Sequence, residues 1–142
     1  MARGGQGDDT LVGGGVLIGN FGADLLEGSL GAPTVFVLRS DTETGTQLEA
    51  ADLMDSFRPT AGHRIAVAGD FSVADLTFDV ATVVSTFNRR RTLTAADGLA
   101  DVLIRRTSTG QLLGVVVNFG DANVVRSLTE VVPFTDPALQ LG

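Results

Sequence analysis

Residues 4–12, Gly4-Gly5-Gln6-Gly7-Asp8-Asp9-Thr10-Leu11-Val12, match a nine-residue pattern, G-G-x-G-x-D-x-U-x with U a large aliphatic residue, at every fixed position. The pattern returns fifteen residues on in Gly19-Asn20-Phe21-Gly22-Ala23-Asp24-Leu25-Leu26-Glu27, with Asn20 in place of the second glycine. A third, degraded copy follows at once, Gly28-Ser29-Leu30-Gly31-Ala32-Pro33-Thr34-Val35-Phe36, in which Pro33 stands where the aspartate belongs. Between the first two copies, residues 13–18 read as a shortened turn and strand without an acid. A tandem repeat of this length implies stacked, near-identical supersecondary units, each completing its core against the next. Glycines let the first six residues of a copy turn tightly with carbonyls inward. The last three then form a short strand whose U residue, Leu11, Leu26 or Val35, points into a shared core while its neighbours face out. The aspartate closes the turn with an anionic oxygen, and turn carbonyls can complete a hard shell of six to eight oxygens of the kind calcium takes.

Ten of the eighteen glycines lie within the first 31 residues, so this quarter of the 142-residue chain is a different kind of structure from the rest. Charge divides similarly. Residues 1–79 carry twelve acids and four Arg, whereas residues 80–142 carry five acids and six Arg. The net charge of -7 disfavours a nucleic-acid partner. With no cysteine, disulfides, thiolate metal sites and a cysteine nucleophile are all excluded. The longest charge-free apolar stretch, residues 10–23, is broken by five glycines, and it falls short of the roughly 18 residues a membrane span needs. No transmembrane helix or cleavable N-terminal signal is visible.

Past residue 36 the periodicity lengthens. Residues 34–39 form an apolar run predicted as a buried strand. Residues 52–57 read as a short strand or one helical turn, residues 58–62 as a Pro/Gly turn and residues 63–68 as another strand. Ser72-Val73-Ala74-Asp75 has capping-box spacing and predicts one helical turn ahead of a β-branched segment at 76–87. Residues 100–106 and 111–118 flank Thr107-Ser108-Thr109-Gly110 as a hairpin. Ser127-Leu128-Thr129-Glu130 is a second capping box, with a last strand at 131–134.

On residues 4–12 and 19–27, and more weakly on 28–36, the chain resembles the RTX, or hemolysin-type calcium-binding, repeat family. Its later part is similar to the domain that commonly follows such repeats in cyanobacterial and other Gram-negative secreted proteins. That likeness rests on Val35-Phe36-Val37, on Asp52-Leu53-Met54-Asp55-Ser56-Phe57, on Phe71-Ser72-Val73-Ala74-Asp75-Leu76, and on Leu112-Leu113-Gly114-Val115-Val116 followed by Val131-Val132-Pro133-Phe134. The resemblance implies an all-β fold: a short N-terminal parallel β-roll, or β-solenoid, over residues 1–39, and a β-rich sandwich or solenoid cap with one or two short helical turns over 40–142. It further implies type I export without a cleaved signal, and folding triggered by external calcium. In that geometry copies 4–12 and 19–27 stack with one or two ions between their turns. Asp9 and Asp24 would supply carboxylates, and Gly5, Gly7, Asn20 and Gly22 carbonyls.

No G-x-S-x-G elbow, H-E-x-x-H or P-loop lysine is present, and the expectation is that the protein is not an enzyme. The single His63 opens a predicted strand and reads as structural rather than as a base. Asp52 and Asp55 could face a common site. Arg89, Arg90 and Arg91 form the only basic cluster, a solvated loop or else a fork-like contact for an acidic polysaccharide or a neighbouring subunit. The eight phenylalanines are spread as core anchors. The expected function is a secreted, calcium-binding structural protein that self-associates through β edges into an extracellular filament or matrix, starting from an uncapped first coil. The alternatives are a C-terminal secretion and folding module of a larger type I secreted protein, and a soluble adhesin domain.

Overall fold

In a computed structural model, described for residues 2–5, 9–20, 24–40, 51–81, 100–117 and 119–133, the first eight strands go alternately to two sheets. The strands are β1 (Ala2–Gly5), β2 (Thr10–Gly13), β3 (Gly15–Asn20), β4 (Leu25–Gly28), β5 (Thr34–Arg39), β6 (Asp52–Asp55), β7 (Arg64–Ala68), β8 (Leu76–Ala81), β9 (Asp101–Arg106), β10 (Leu112–Val116) and β11 (Thr129–Val132). One sheet has the order β1-β3-β5-β7-β11 and is parallel throughout; the other has the order β2-β4-β6-β10-β9-β8. In the second sheet β2, β4, β6 and β10 are parallel, and the β9–β10 hairpin with β8 adds two antiparallel pairings. The fold is therefore mostly β, with parallel and mixed sheets and, among the described residues, one short α-helix, α1 (Ala122–Ser127).

Register shows how the chain lengthens its path. Ala2 pairs with Leu17 and Thr10 with Leu25, fifteen residues on in each case. Gly15 pairs with Thr34, nineteen on, and Leu25 with Leu53, twenty-eight on. The glycine-rich start thus makes the tightest circuits. Gly13 (φ 137°) and Gly15 (φ 80°) reverse the chain between β2 and β3 in a backbone region L side chains rarely enter.

Residues alternate in facing along the strands, except in β10, where an irregularity between Leu112 and Gly114 puts Leu113 and Val116 on the same side. Leu17, Leu26, Phe36, Leu38, Met54, Ile65, Val67, Phe78, Val102, Ile104, Leu113 and Val116 meet between the sheets, with Phe57, Leu76 and Val125 of α1. The second faces are buried as well, Leu25, Leu53, Leu103, Leu112 and Val115 on one sheet and Ile18, Val37, Ala66 and Ala68 on the other. Runs such as Val35-Phe36-Val37-Leu38 are continuous because both faces of these strands are apolar. Among the described phenylalanines, Phe36, Phe57 and Phe78 are buried in the central core, with Phe71 and Phe119 packed against it; Phe21, Phe87 and Phe134 lie outside the described residues. No helix among the described residues is long and apolar enough to cross a membrane.

Three local expectations are corrected. Val35 faces outward, in the cluster with Ile18 and Val37, and its neighbour Phe36 takes the inward place. The third copy is therefore shifted by one residue relative to the first two, and with a side-chain period of two such a shift exchanges faces. The helix near Ser127 ends there instead of starting. Its N-cap is Asp121, whose carboxylate accepts from the N–H groups of Asn123 and Val124, while the Ser127 hydroxyl donates back to the Val124 carbonyl and the strand begins at Thr129. Ser72 makes no side-chain cap on the 3-10 turn Val73–Asp75; the Asp75 carboxylate instead accepts from the Ser108 hydroxyl (2.8 Å) and Arg106 Nε (3.0 Å). Arg106 in turn lies 4.4 Å over the Phe71 ring, tying this turn to the β9–β10 hairpin.

Candidate metal centre

Asp9 and Asp24 each stand one residue ahead of a strand, β2 and β4, and the Thr10–Leu25 register brings them side by side in adjacent circuits. The strands of residues 2–5 and 10–13 thus pair in parallel with those of 15–20 and 25–28. Asp9 is half-buried and Asp24 fully buried. The Asp24 Oδ1 accepts the Asp9 backbone N–H at 2.8 Å, and Leu25 N–H donates to the Asp9 carbonyl at 2.8 Å. A carboxylate acceptor makes the first of these a charge-assisted bond.

The glycine that opens each copy is explained by the aspartate five residues later. A Cβ on Gly19 would fall on the Asp24 carboxylate, and one on Gly4 would lie 2.8 Å from Asp9 Oδ2 and closer still to the Gly19 carbonyl. Glycine at the first position therefore makes room across the interior for the carboxylate at the sixth. The degraded copy keeps its glycine for another reason: a Cβ on Gly28 would sit 2.7 Å from the His63 ring and 2.8 Å from Phe36.

A third aspartate joins the stack. Leu25 pairs with Leu53, so Asp52 lies beside Asp24, and Asp52 Oδ1 accepts the Asp24 N–H at 2.9 Å while Leu53 N–H donates to the Asp24 carbonyl at 2.8 Å. Sequence reasoning assigned Asp52 to no metal set, because the circuit between the two spans twenty-eight residues and the nine-residue spacing is gone. The only available signal was an aspartate directly ahead of an apolar strand. Asp52 and Asp55 do not share a face: Asp52 is buried, whereas Asp55 lies on the other side of β6 and caps Ser56 N–H at 2.9 Å.

Of the expected carbonyl donors, Gly5 closes β1 opposite Asn20, which closes β3. Gly7 and Gly22 lie outside the described residues, as do Arg89, Arg90 and Arg91. Among the described residues, no three or more His, Cys, Asp or Glu side chains are grouped to hold an ion. What the structure brings together is the carboxylate pair Asp9–Asp24 ahead of β2 and β4, while Gly5 and Asn20 pair with each other in the other sheet.

His63 is fully buried. Its Nδ1 accepts Arg58 N–H at 2.9 Å, which sets the proton on Nε2, directed at the Ser29 carbonyl (2.7 Å) and the Ala32 carbonyl (3.1 Å). With Phe36 edge-on at 5.8 Å and Phe57 at 6.2 Å, it staples two turns together. Comparison of the chain with protein families, with characterised proteins and with solved structures found no match.

Proposed function

We propose that this chain is a secreted, non-enzymatic structural protein built on a short RTX-like parallel β-roll, clamped by calcium and assembling through its β edges into an extracellular filament or matrix. The observation that carries the reading is the in-register stacking of Asp9 on Asp24, each opposite the glycine that makes room for it. Alternation of parallel strands between two sheets over β1 to β7 supports the roll. Asp9 and Asp24 would hold the ion with carbonyls of Gly5, Gly7, Asn20 and Gly22; its part is to neutralise stacked carboxylates and tie the turns. Extracellular calcium modules work at dissociation constants of about 10⁻⁴ to 10⁻³ M, which suits the outside of a cell and not its interior.

A second reading, a terminal module of a longer roll serving export and folding, is favoured by the far end of the stack. There α1 packs on β8 and sends Val125 into the core, closing that end with a helix whose Asn123, Arg126 and Ser127 are exposed. Electron microscopy of the purified chain in millimolar calcium and in chelator separates the two. Filaments that dissolve on chelation support the assembling protein; single particles in both conditions support the module. Unfolding curves that superimpose in calcium and chelator would refute calcium binding under either reading.

A further inference from the structure

Three surface turns of successive circuits lie side by side, at residues 13–14, 29–33 and 58–62. A Cβ on Gly14 would come within 3.1 Å of Ala32, and one on Gly62 within 3.4 Å of Pro33. Hydrogen bonds tie the first turn to the second: Gly15 N–H donates to the Pro33 carbonyl at 2.9 Å, and the Thr34 hydroxyl to the Gly13 carbonyl at 3.3 Å. Among the described residues, no backbone hydrogen bond crosses from the second turn to the third. The His63 ring spans that gap, taking Arg58 N–H on Nδ1 and directing Nε2 at the Ser29 and Ala32 carbonyls.

A ring nitrogen that accepts an N–H carries no proton of its own, so the bridge is made by the neutral imidazole. Proton uptake turns Nδ1 into a donor set against the Arg58 N–H only 2.9 Å away. It also creates a charge on a side chain with no exposed surface. Across residues 28–36 and 57–62, which hold Gly28, Phe36, Phe57 and both turns against the ring, the only charged residue is Arg58, itself a cation. The nearest acids along the flanking strands, Glu27 of β4 and Asp55 of β6, pair with each other on the outer face that carries Leu25 and Leu53, away from the ring. Arg64 of β7 lies on the outer face of the other sheet beside Val35. Charging strengthens the Nε2–H bonds to the two carbonyls, yet neutral carbonyls neither replace the lost acceptor nor balance a buried charge.

We propose that His63 is a proton-operated latch: the neutral ring clasps turns 29–33 and 58–62 together, and protonation releases them. Release frees the Arg58 N–H and the turn that presents Leu30, which is 63% exposed. Because opening takes up a proton, the closed latch is stable at higher pH and is lost as pH falls through the range in which histidine ordinarily changes charge. The latch is independent of calcium and of assembly.

The test is backbone hydrogen exchange of the full chain in chelator, expressed as protection relative to the unfolded rate at each pH. One proton taken up on opening raises the opening constant by up to about tenfold per pH unit. Between about pH 8 and about pH 5, protection of the Arg58 N–H should fall at least about tenfold. The Gly69 N–H, bonded to the Val132 carbonyl at 3.0 Å beyond the other end of β7, should keep its protection. His63→Asn, which offers Arg58 a neutral oxygen that does not titrate, should show no such fall. The parent chain has a single histidine, so its imidazole 15N shifts need no assignment and follow the event even if the variant does not fold. They should report an Nε2–H ring at high pH that becomes charged in step with the loss of Arg58 protection. A ring that becomes charged while the Arg58 N–H stays protected would overturn the latch. So would protection that is constant from pH 8 to 5, an equal fall at Gly69, or a fall that persists in His63→Asn.

Discussion

Replacing Asp24 separates the hydrogen-bonding role of the aspartate stack from its cation-binding role. In Asp24→Ala the Asp9 N–H loses its Oδ1 acceptor at 2.8 Å in a part-buried place. Stranding such a donor costs about 1–3 kcal/mol. The middle of that range is about 2 kcal/mol. At about 4 °C per kcal/mol for a chain of this size, the melting temperature should fall by roughly 8 °C in chelator. Asp24→Asn keeps an oxygen in the same place and should fall by no more than about 2 °C, a loss of ~0.5 kcal/mol. Addition of 10 mM calcium should then stabilise the parent chain by about 1.4–2.7 kcal/mol, for dissociation constants of about 10⁻³ to 10⁻⁴ M, and neither variant. The assay is thermal unfolding followed by circular dichroism. If Asp24→Ala melts with the parent in chelator, the carboxylate does not hold the circuits together. If Asn falls as far as Ala, the acceptor argument is wrong and charge is what matters.

Asp9→Ala should abolish the calcium-dependent rise in melting temperature, and an unchanged response would remove Asp9 from the site. Gly19→Ala puts a Cβ onto the Asp24 carboxylate and should destabilise by about 1–3 kcal/mol, read from the urea midpoint at constant slope; an unchanged midpoint would refute the room-making role of this glycine. Truncating fully buried Phe36 to Ala should cost about 3–5 kcal/mol, whereas Val35→Ala, at a partly buried outer position, should cost under ~1.5 kcal/mol; equal losses would contradict the one-residue shift of the third copy. The Asp75 carboxyl is held below its ordinary 3.8 by hydrogen bonds from the Ser108 side chain and the Arg106 side chain, then by the Ser108 N–H and the Arg106 charge. A folded value below the unfolded one means its contribution is present above 3.8 and is lost as pH falls through the folded value. Asp75→Asn should therefore flatten the acid limb of the midpoint-versus-pH curve, and an acid limb identical to the parent's would refute the linkage.

Much of the first third of the fold is local and so is readable in the sequence. The spacing between Asp9 and Asp24 is a repeat of fifteen residues, and the observed register is the same fifteen. The β9–β10 hairpin and the strands at 34–39 and 64–68 follow from turn residues bounding apolar runs. Asp52 is different: it reaches the stack through a circuit of twenty-eight residues with no repeat left in it, and only pairing of β4 with β6 reveals it. The His63 staple is equally invisible, since its partners are carbonyls at 29 and 32 and an N–H at 58. Capping-box spacing at 127–130 misled because Asp121, six residues earlier, captured the helix start.

By itself the sequence determined that the chain is β-rich, that its glycine-dense start turns tightly, and that two aspartates recur at the spacing of one circuit. Those properties depend on backbone freedom and side-chain period within nine to fifteen residues. Tertiary structure decided which faces are inward beyond Pro33, that three aspartates stack, that one end of the stack carries a helix, and that the other presents two sheet edges together. These depend on pairings between residues 19 to 64 positions apart, where loop length is free to vary and strand register is selected by burial on both faces of each sheet.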